Sequence, residues 1–571
     1  MSPAATPNER TALVASSSSS SSSLPPSYNG DTRISGTKKP RHHNLAGMPP
    51  WRFRLACGSV WSATFLAAFD GTVVATLLSD IGSSFQALHL SSWLGTAYLL
   101  SLCCFTPVYG RLADALGRRN ALLVALAFFT VGTLLCATAP TMYALIGARI
   151  LAGVGGGGLT SVGSILVSDL VDLRHRGLFQ GYANLLFGLG ASLGGPVGGW
   201  AADQFGWRVA FGAQVPMLAA SVALVLLFIP HDLGHRSESE EHETWVHKLK
   251  RIDYLGSAAL VVSVACLLLG VSLKTAAQTA DGGEYAWSDP LIAGLLTTFV
   301  VFTAVFIYIE GWVALNPVLP LSLLARRTPA SVALSNLTMA MCMFSLLYNV
   351  PLFFTAVRLQ SSTTAGAHLL PYTAFIGLGS LLVGWVMRKT GRFYPAMVVS
   401  GIIVAASCAM MLSWNTDSPE WITWVAQSPS GFGYAGVLTS TLVALMTNVQ
   451  KEGRGEIAVA TSMTYMFRTI GQVLGVAFAS AVLQATLKAD LAASIDDKDL
   501  VDLIRRSTTI IPTLPPHIRA VAVAAYSNGL HRVCLMNFGL AVLTVVLLAT
   551  AENEHMPESA LPDDDEDVCE A

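Results

Sequence analysis

The sequence has little charge for its length. Asp, Glu, Lys and Arg make up 12% of its 571 residues, against roughly 25% in an ordinary globular protein. Hydrophobic residues make up 53%, more than one water-soluble core could bury, which argues against a soluble enzyme. The basic and acidic residues nearly balance, at 34 and 36. This balance gives no indication of a nucleic-acid partner, which would require a concentrated basic face.

The sequence also lacks the patterns of an enzyme active site. Its nine cysteines lie mostly in apolar runs without metal-ligand spacing. No nucleophile elbow and no phosphate-cradling loop stands between a strand and a helix. Residues 153–158 are rich in glycine but lie in a predicted helix, where close packing is a sufficient explanation. We predict no enzyme, no cofactor and no metal site.

What the sequence does contain is a series of apolar runs. A helix that crosses a membrane needs about 20 residues, and fourteen runs reach that length. The sequence therefore predicts an all-α, polytopic membrane protein. The runs lie at 55–78, 91–110, 120–139, 142–166, 178–200, 208–229, 253–273, 290–310, 329–352, 366–387, 394–413, 431–449, 456–485 and 532–551.

Lys and Arg are distributed unevenly between these runs. If the N-terminus is cytosolic, the short inner connections hold sixteen of them and the first six outer connections hold three. Cytosolic connections carry the excess of Lys and Arg in membrane proteins. We therefore expect both termini in the cytosol, with the first run acting as an uncleaved signal anchor.

The connection between the second and third runs reads GRLADALGRR over residues 110–119. It resembles the signature loop of the major facilitator superfamily. Gly117 permits a backbone reversal, and Asp114 can pair with Arg118 or a neighbouring helix. The resemblance implies that Gly110, Asp114, Gly117, Arg118 and Arg119 hold one conformation closed.

Two further segments repeat this pattern. Residues 384–392 read GWVMRKTGR, and residues 199–208 read GWAADQFGWR on the opposite side of the membrane. Repeats across halves and inverted within one half are typical of this superfamily. The resemblance implies a major facilitator fold with two six-helix bundles and two inserted helices.

The domain organisation follows from these spans and from composition. The N-terminal segment is rich in Ser and Pro and cannot bury an apolar core. We expect a disordered cytosolic tail at 1–54, a first bundle at 55–230, a cytosolic linker at 231–252, two additional helices with their connection at 253–328, a second bundle at 329–551 with a long outer loop at 486–531, and an acidic cytosolic tail at 552–571.

Three ionisable residues inside predicted spans are candidates for proton coupling. Residues 69–74, FDGTVV, and 466–472, MFRTIGQ, are similar to motifs of the fourteen-span drug:H+ antiporters. Charges within spans are costly and usually functional, which points to Asp70, Arg149 and Arg468. Alternatively, Asp70 caps a helix break beside Gly71, and Arg149 only fixes helix packing.

The fifth span contains a glycine-rich segment, GASLGGPVGG at 190–199. It resembles a motif of proton-coupled antiporters, which implies a gating role for Gly195 and Pro196. Glycines at four-residue spacing let helices approach closely, and a proline bends the helix. Generic small-residue packing is the alternative, and it leaves the proline unexplained.

Polar and aromatic residues inside the spans are candidates for lining a substrate cavity. A buried Asn can equally form an interhelical hydrogen bond, and Tyr348 can equally anchor the helix at the membrane interface. The candidates are Asn184, Gln214, Asn336, Tyr348, Asn349, Tyr372 and Tyr465.

The substrate class follows only from resemblance. Residues 65–78, 176–181 and 194–196 look most like fungal vacuolar transporters of basic amino acids. This implies a proton-coupled antiporter that moves amino acids into the vacuole by alternating access. A multidrug or toxin efflux antiporter of the plasma membrane is one alternative. A nutrient-sensing receptor that does not transport, or a passive uniporter, is another.

The N-terminal tail contains two short motifs. Pro25, Pro26 and Tyr28 belong to a PPxY sequence, which suits the groove of a WW domain and implies recruitment of a ubiquitin ligase. Residues 9–14, ERTALV, are close to an acidic dileucine sorting signal. We therefore favour the vacuolar membrane over the plasma membrane.

Overall fold

The computed structural model describes residues 48–85, 87, 90, 92–230, 253–276, 285–314, 321–360, 362–416, 418–450, 455–495, 497–506 and 508–555. Within these ranges the chain is helical and contains no strand. The PPxY sequence, the dileucine-like signal, the predicted linker at 231–252 and most of the acidic tail lie outside the described residues.

Fourteen helices in the described ranges are long and apolar enough to cross a membrane, which confirms the predicted all-α, fourteen-span fold. They are α1 (Pro50–Ser84), α2 (Ser92–Leu116), α3 (Arg118–Thr138), α4 (Met142–Leu170), α5 (Leu173–Phe205), α6 (Trp207–Phe228), α7 (Tyr254–Ala276), α8 (Pro290–Val313), α9 (Arg327–Ala356), α10 (Thr364–Thr390), α11 (Tyr394–Met411), α12 (Glu420–Val449), α13 (Gly455–Ala492) and α14 (Pro516–Ala549).

Three of these spans are interrupted near a proline. The second segments of α6, α10 and α12 begin at Gln214, Leu370 and Ser428, and each has a proline among its first three residues. Proline has no N–H to donate and is tolerated in the first turn of a helix. A new helical segment therefore begins where the proline stands. In α8 the last turn widens to a π-helix over Ile309–Val313.

Helices α1–α6, the first half, and α9–α14, the second half, repeat the same pairings. In the first half α1 packs along α5, α2 along α4 and α3 along α4; in the second half α9 packs along α13, α10 along α12 and α11 along α12. The halves meet where α5 contacts α10 and where α2 contacts α13. Each contact joins the second helix of one half to the fifth helix of the other, as a twofold relation between the halves requires.

The two inserted helices lie beside this arrangement. Helix α7 packs against α2 and α13 at one of the junctions between the halves. Helix α8 packs mainly on α7, and over Pro290–Tyr308 only Ile292 and Phe306 are buried in the protein. Its apolar side chains therefore face the hydrocarbon of the membrane.

The loops that share the repeated motif also share a backbone conformation. Gly117, Gly206 and Gly391 have φ angles of 86°, 88° and 68°, and they are the glycines with positive φ in the described part of the chain. Residues with a Cβ atom rarely adopt this conformation. The glycine at the eighth position of the motif thus allows the sharp reversal between successive helices.

The predicted outer loop at 486–531 differs from the structure. Helix α13 continues to Ala492, a short helix covers Lys498–Arg506, a 3₁₀ segment covers Thr508–Thr513, and α14 begins at Pro516. The short helix buries Val501 and Ile504 against the second half. Because the other face of this helix is polar, the segment forms no apolar run in the sequence.

Candidate functional site

A cavity of about 130 Å³ lies between the two halves. Helices α1, α4 and α5 form one wall, and α9, α10, α12 and α13 form the other. The wall is mostly apolar with a few polar groups, as is usual for small-molecule sites. Its aromatic and polar lining residues are Trp61, Thr64, Thr160, Ser164, Gln180, Asn184, Phe187, Phe344, Tyr372, Thr373, Tyr434, Tyr465, Arg468 and Gln472.

Some of the predicted cavity residues line this space. Asn184, Tyr372 and Tyr465 are on its wall. Asn336 lies at a smaller adjoining pocket, where its Nδ2 donates to the backbone oxygen of Val332 at 2.9 Å and to Oγ1 of Thr441 at 3.2 Å. The amide of Asn336 is therefore held by hydrogen bonds within the second half. This agrees with the alternative that a buried Asn forms an interhelical hydrogen bond.

Gln214 and Tyr348 are not on the cavity wall. Gln214 is buried in α6, and its Nε2 donates to the backbone oxygen of Ala210 at 3.1 Å. Tyr348 is 51% exposed, because it lies on a different face of α9 from Phe344 and Leu347, which line the cavity. Asn349 lines a separate small pocket. The polarity of a residue within a span therefore did not predict whether its side chain faces the cavity.

A chain of polar groups joins the two halves at the cavity. Nε2 of Gln180 donates to Oδ1 of Asn184 at 3.1 Å, and Nδ2 of Asn184 donates across the junction to Oγ of Ser380 at 2.8 Å and Oγ1 of Thr439 at 3.4 Å. Oγ of Ser164 contacts Oε1 of Gln180 at 3.5 Å. Asn184 thus both lines the cavity and links α5 to α10 and α12.

Asp70 and Arg149 form an ion pair in the interior of the first half. Nη1 of Arg149 donates to Oδ2 of Asp70 at 2.6 Å, and the two side chains are 1% and 0% exposed. The pair joins α1 to α4 and does not line the cavity. Oδ1 of Asp70 is buried without a hydrogen-bond partner. Arg149 is therefore the partner that compensates the buried negative charge of this carboxylate.

Helix α2 completes the surroundings of this ion pair. Nε of Arg149 donates to the backbone oxygen of Leu94 at 3.2 Å, and the guanidinium lies over the ring of Tyr98, 4.2 Å from its centroid. Glycines in α4 allow this approach: a Cβ at Gly153 would overlap Ser101 and the backbone oxygen of Tyr98. Three helices thus meet at the guanidinium.

The glycines of the fifth span bring α5 against the part of α1 that carries Asp70. A Cβ at Gly190 would overlap the backbone oxygen of Phe65, and one at Gly194 would overlap that of Phe69. The next in the series, Gly198, lies against Val73. Gly195, a predicted gating residue, is less confined, with Oγ1 of Thr76 at 3.2 Å from a Cβ built on it.

Pro196 lies within the continuous helix α5, beside this series of glycines. A proline inside a helix removes one backbone hydrogen bond and bends the chain. Gly195 thus adjoins a position where α5 lacks a backbone donor, while Gly190, Gly194 and Gly198 make the close contacts with α1.

Arg468 lies on the cavity wall in α13. Its guanidinium lies over the ring of Tyr465, 4.3 Å from the centroid. Its Nε is buried without a hydrogen-bond partner, and no ion pair joins Arg468 to a carboxylate in the described ranges. This arginine is therefore available to a molecule in the cavity.

The predicted signature loop forms a charge network. Nη1 of Arg118 contacts Oδ1 of Asp114 at 3.0 Å, and Nε of Arg118 contacts Oδ2 of Asp169 at 2.7 Å. Arg119 donates instead to the backbone oxygen of Leu226 at 2.6 Å. Gly110 faces α13, where its Cβ would lie 2.5 Å from Oγ of Ser462. The network ties α2, α3 and α4 together close to the contact with the second half.

The sequence matches one protein family over most of its length. The profile of the Major Facilitator Superfamily matches residues 60–476. A solved structure of the human organic anion transporter MFSD10 superposes with a TM-score of 0.57 at 15% identity, covering 88% of this chain and 100% of that one. At this identity the likeness shows the fold alone.

Three curated relatives are similar over most of their length. The multidrug resistance protein fnx1 of Schizosaccharomyces pombe is 38% identical over 479 residues, 82% of this chain and 87% of that protein. The vacuolar membrane amino acid uptake transporter fnx2 of the same yeast is 35% identical, over 82% and 78%. The vacuolar basic amino acid transporter 1 of Saccharomyces cerevisiae is 30% identical, over 86% and 90%.

Proposed function

The chain belongs to the Major Facilitator Superfamily and is a multi-pass membrane transporter, and on that premise we propose that it exchanges protons for amino acids, basic ones above all, and takes them into the vacuole. Substrate would bind in the cavity between the halves, which rock around it by alternating access.

The ion pair between Asp70 and Arg149 is the observation that carries the proton coupling. Both side chains are fully buried, and a buried charge is costly unless its partner stays charged and close. A proton on Asp70 removes the attraction and leaves the guanidinium with Leu94 and Tyr98 of α2. Protonation thus weakens the link between α1 and α4, which is the property that a proton-driven switch needs.

The contacts of α1 and α5 would carry this switch to the other half. Helix α1 lies against the glycines of α5 on both sides of Asp70, so a shift of α1 must move or slide along α5. Helix α5 in turn contacts α10 and α12, and Asn184 bonds to both. We assign Gly195 and Pro196 to the bend that accommodates this movement.

The signature loop supplies a gate in this proposal. Arg118 binds carboxylates of both α2 and α4, while Gly110 contacts α13 of the second half. Parting the halves at this end would break the close contact at Gly110 and strain the charge network behind it. Gly117 holds the turn in which Arg118 and Arg119 begin α3.

The substrate class is supported by the relatives and by the aromatic wall. Two of the three relatives are named for vacuolar amino acid transport. Trp61, Tyr372 and Tyr434 line the cavity, and aromatic faces attract cations such as a lysine ammonium or an arginine guanidinium. Drug efflux at the plasma membrane is the second candidate, because the relative with 38% identity is a multidrug resistance protein.

Uptake into vesicles tests the proposal. The purified protein in liposomes with an imposed pH gradient is offered lysine, histidine, arginine and a cationic dye. We expect gradient-driven accumulation of the amino acids, lost in Asp70→Asn and retained in Asp80→Asn, a control at an exposed position of α1. Accumulation of the dye alone would favour efflux. Uptake without dependence on the gradient would indicate a uniporter, and no uptake of any compound a receptor.

Orientation and turnover belong to the same proposal. We place both termini in the cytosol, so that Pro25, Pro26 and Tyr28 can meet a WW-domain ubiquitin ligase, although these residues lie outside the described ranges. In cells, Tyr28→Ala should lower ubiquitination of the transporter. Unchanged ubiquitination of this variant would remove the ligase from the proposal.

A further inference from the structure

The described residues of the cavity wall include a positive charge and no negative charge. Arg468 carries the one full charge among the described residues that line it, and no Asp or Glu of the described ranges is on its wall. A solute that is only cationic therefore meets an unpaired positive charge there. A basic amino acid differs from such a solute, because it also carries a carboxylate.

The surroundings of Arg468 leave part of its hydrogen-bonding capacity unused. Its guanidinium lies over the Tyr465 ring, and its Nε is buried without a partner. A guanidinium presents five N–H donors in a planar fork that matches a carboxylate. Because a buried polar group without a partner is costly, a bound carboxylate would stabilise this part of the cavity.

The first half contains an arginine with a similar tyrosine contact and with a carboxylate in place, although its tyrosine lies on another helix. Arg149 lies over the ring of Tyr98 at 4.2 Å, almost as Arg468 lies over Tyr465 at 4.3 Å. In the first half the carboxylate is Asp70, at 2.6 Å from the guanidinium. In the second half no residue of the described ranges supplies one.

We propose that the carboxylate of the transported solute binds Arg468, so that the solute itself completes in the second half the pair that Asp70 completes in the first. The proposal rests on the proposed amino acid transport and specifies its substrates: they carry a carboxylate, and their cationic end lies toward Trp61, Tyr372 and Tyr434. Organic cations without a carboxylate are rejected.

Binding to the purified full-length protein tests this independently of transport. Lysine, lysinamide and cadaverine are compared by the rise in melting temperature that each causes, because a ligand that binds the folded state stabilises it. Only lysine has a free carboxylate. We expect a rise with lysine and at least a tenfold higher concentration requirement for the other two. Equal responses to all three, or no response to lysine, would overturn the proposal.

Variants at Arg468 connect the effect to this residue. Loss of a hydrogen bond to a charged group corresponds to about 10- to 100-fold in affinity. We expect Arg468→Gln to raise the KM for lysine by that factor and to abolish discrimination between lysine and cadaverine, with partial rescue in Arg468→Lys. Arg532→Gln, at an exposed position of α14, is the matched control. Discrimination that survives in Arg468→Gln would contradict the proposal.

The binding measurements and the transport measurements distinguish failure of this inference from failure of the proposed function. If the wild-type protein takes up no amino acid under any gradient, transport is refuted, and the melting-temperature comparison still decides the role of Arg468. If lysine is transported but cadaverine competes equally well, the transport proposal stands and the carboxylate site is refuted.

Discussion

Each half of this transporter contains an arginine that lies over a tyrosine ring, but the two arginines have different surroundings. Arg149 is sealed in the first half with Asp70, whereas Arg468 faces the central cavity without a carboxylate of the described chain. A buried pair needs both of its charges, but a cavity arginine can exchange ligands. We infer that the first half is specialised for the proton and the second half for the solute.

The largest expected effect comes from breaking the sealed pair. Asp70→Asn leaves Arg149 buried without a counter-charge, which should cost roughly 3–5 kcal/mol of folding free energy together with the loss of proton-driven accumulation. Melting temperature and uptake measure the two effects. The double variant Asp70→Asn/Arg149→Gln should regain most of the stability but not the coupling. Coupled uptake by the double variant would refute the role of the pair.

Removal of the cavity arginine should show the opposite pattern. Because Arg468 has no ion-pair partner in the described chain, Arg468→Gln should change the unfolding free energy by less than about 1 kcal/mol while lysine transport falls. Melting temperature in detergent without lysine tests this against uptake. A loss of stability as large as that of Asp70→Asn would remove the distinction between the halves.

Two adjacent glycines sharpen the account of how α1 and α5 move. A Cβ at Gly194 would overlap the backbone oxygen of Phe69, whereas at Gly195 the nearest atom is Oγ1 of Thr76 at 3.2 Å. Overpacking costs about 1–3 kcal/mol. We expect Gly194→Ala to lower both the melting temperature and the transport rate, and Gly195→Ala, which meets no backbone atom, to change the melting temperature little. Equal effects would show that close packing on α1 is not what limits α5.

The smallest effect is expected at the signature loop. Asp169→Asn removes one of the two carboxylates of Arg118 and leaves Asp114. Because Arg118 keeps one carboxylate, we expect a loss of about 1 kcal/mol, the usual size of one hydrogen bond, so the melting temperature should fall slightly while the transport rate changes by a few-fold. Asp114→Asn serves as the comparison. Abolition of transport by Asp169→Asn would give this network a larger role than a gate.

The fourteen spans were predictable because each is a long apolar run, and the signature loop because its residues resemble a known motif whose glycine permits the turn. The faces of the helices were not predictable in the same way. Tyr348 and Tyr465 are both aromatic residues within spans, yet only Tyr465 lines the cavity, because helix rotation is set by packing rather than by local sequence.

The functional residues that the sequence did not identify belong to no motif and act as contact partners of residues that do. Tyr98 and Asp169 contact predicted arginines from other helices, and no spacing along the chain relates them. Gln180 is an exception, because it stands four residues before Asn184 and shares its helix face. The pairing of Asp70 with Arg149 likewise depends on how α1 and α4 are placed, not on their separation of 79 positions along the chain.

Lysine counterflow tests the central claim most directly, because exchange of labelled for unlabelled lysine across vesicles needs substrate binding and rocking but no net proton movement. The account predicts that Asp70→Asn keeps counterflow and loses accumulation driven by a pH gradient, whereas Arg468→Gln reduces both at lysine concentrations near the KM of the wild-type protein. Gradient-driven accumulation in Asp70→Asn, or full counterflow in Arg468→Gln, would contradict the division of proton and solute between the two halves.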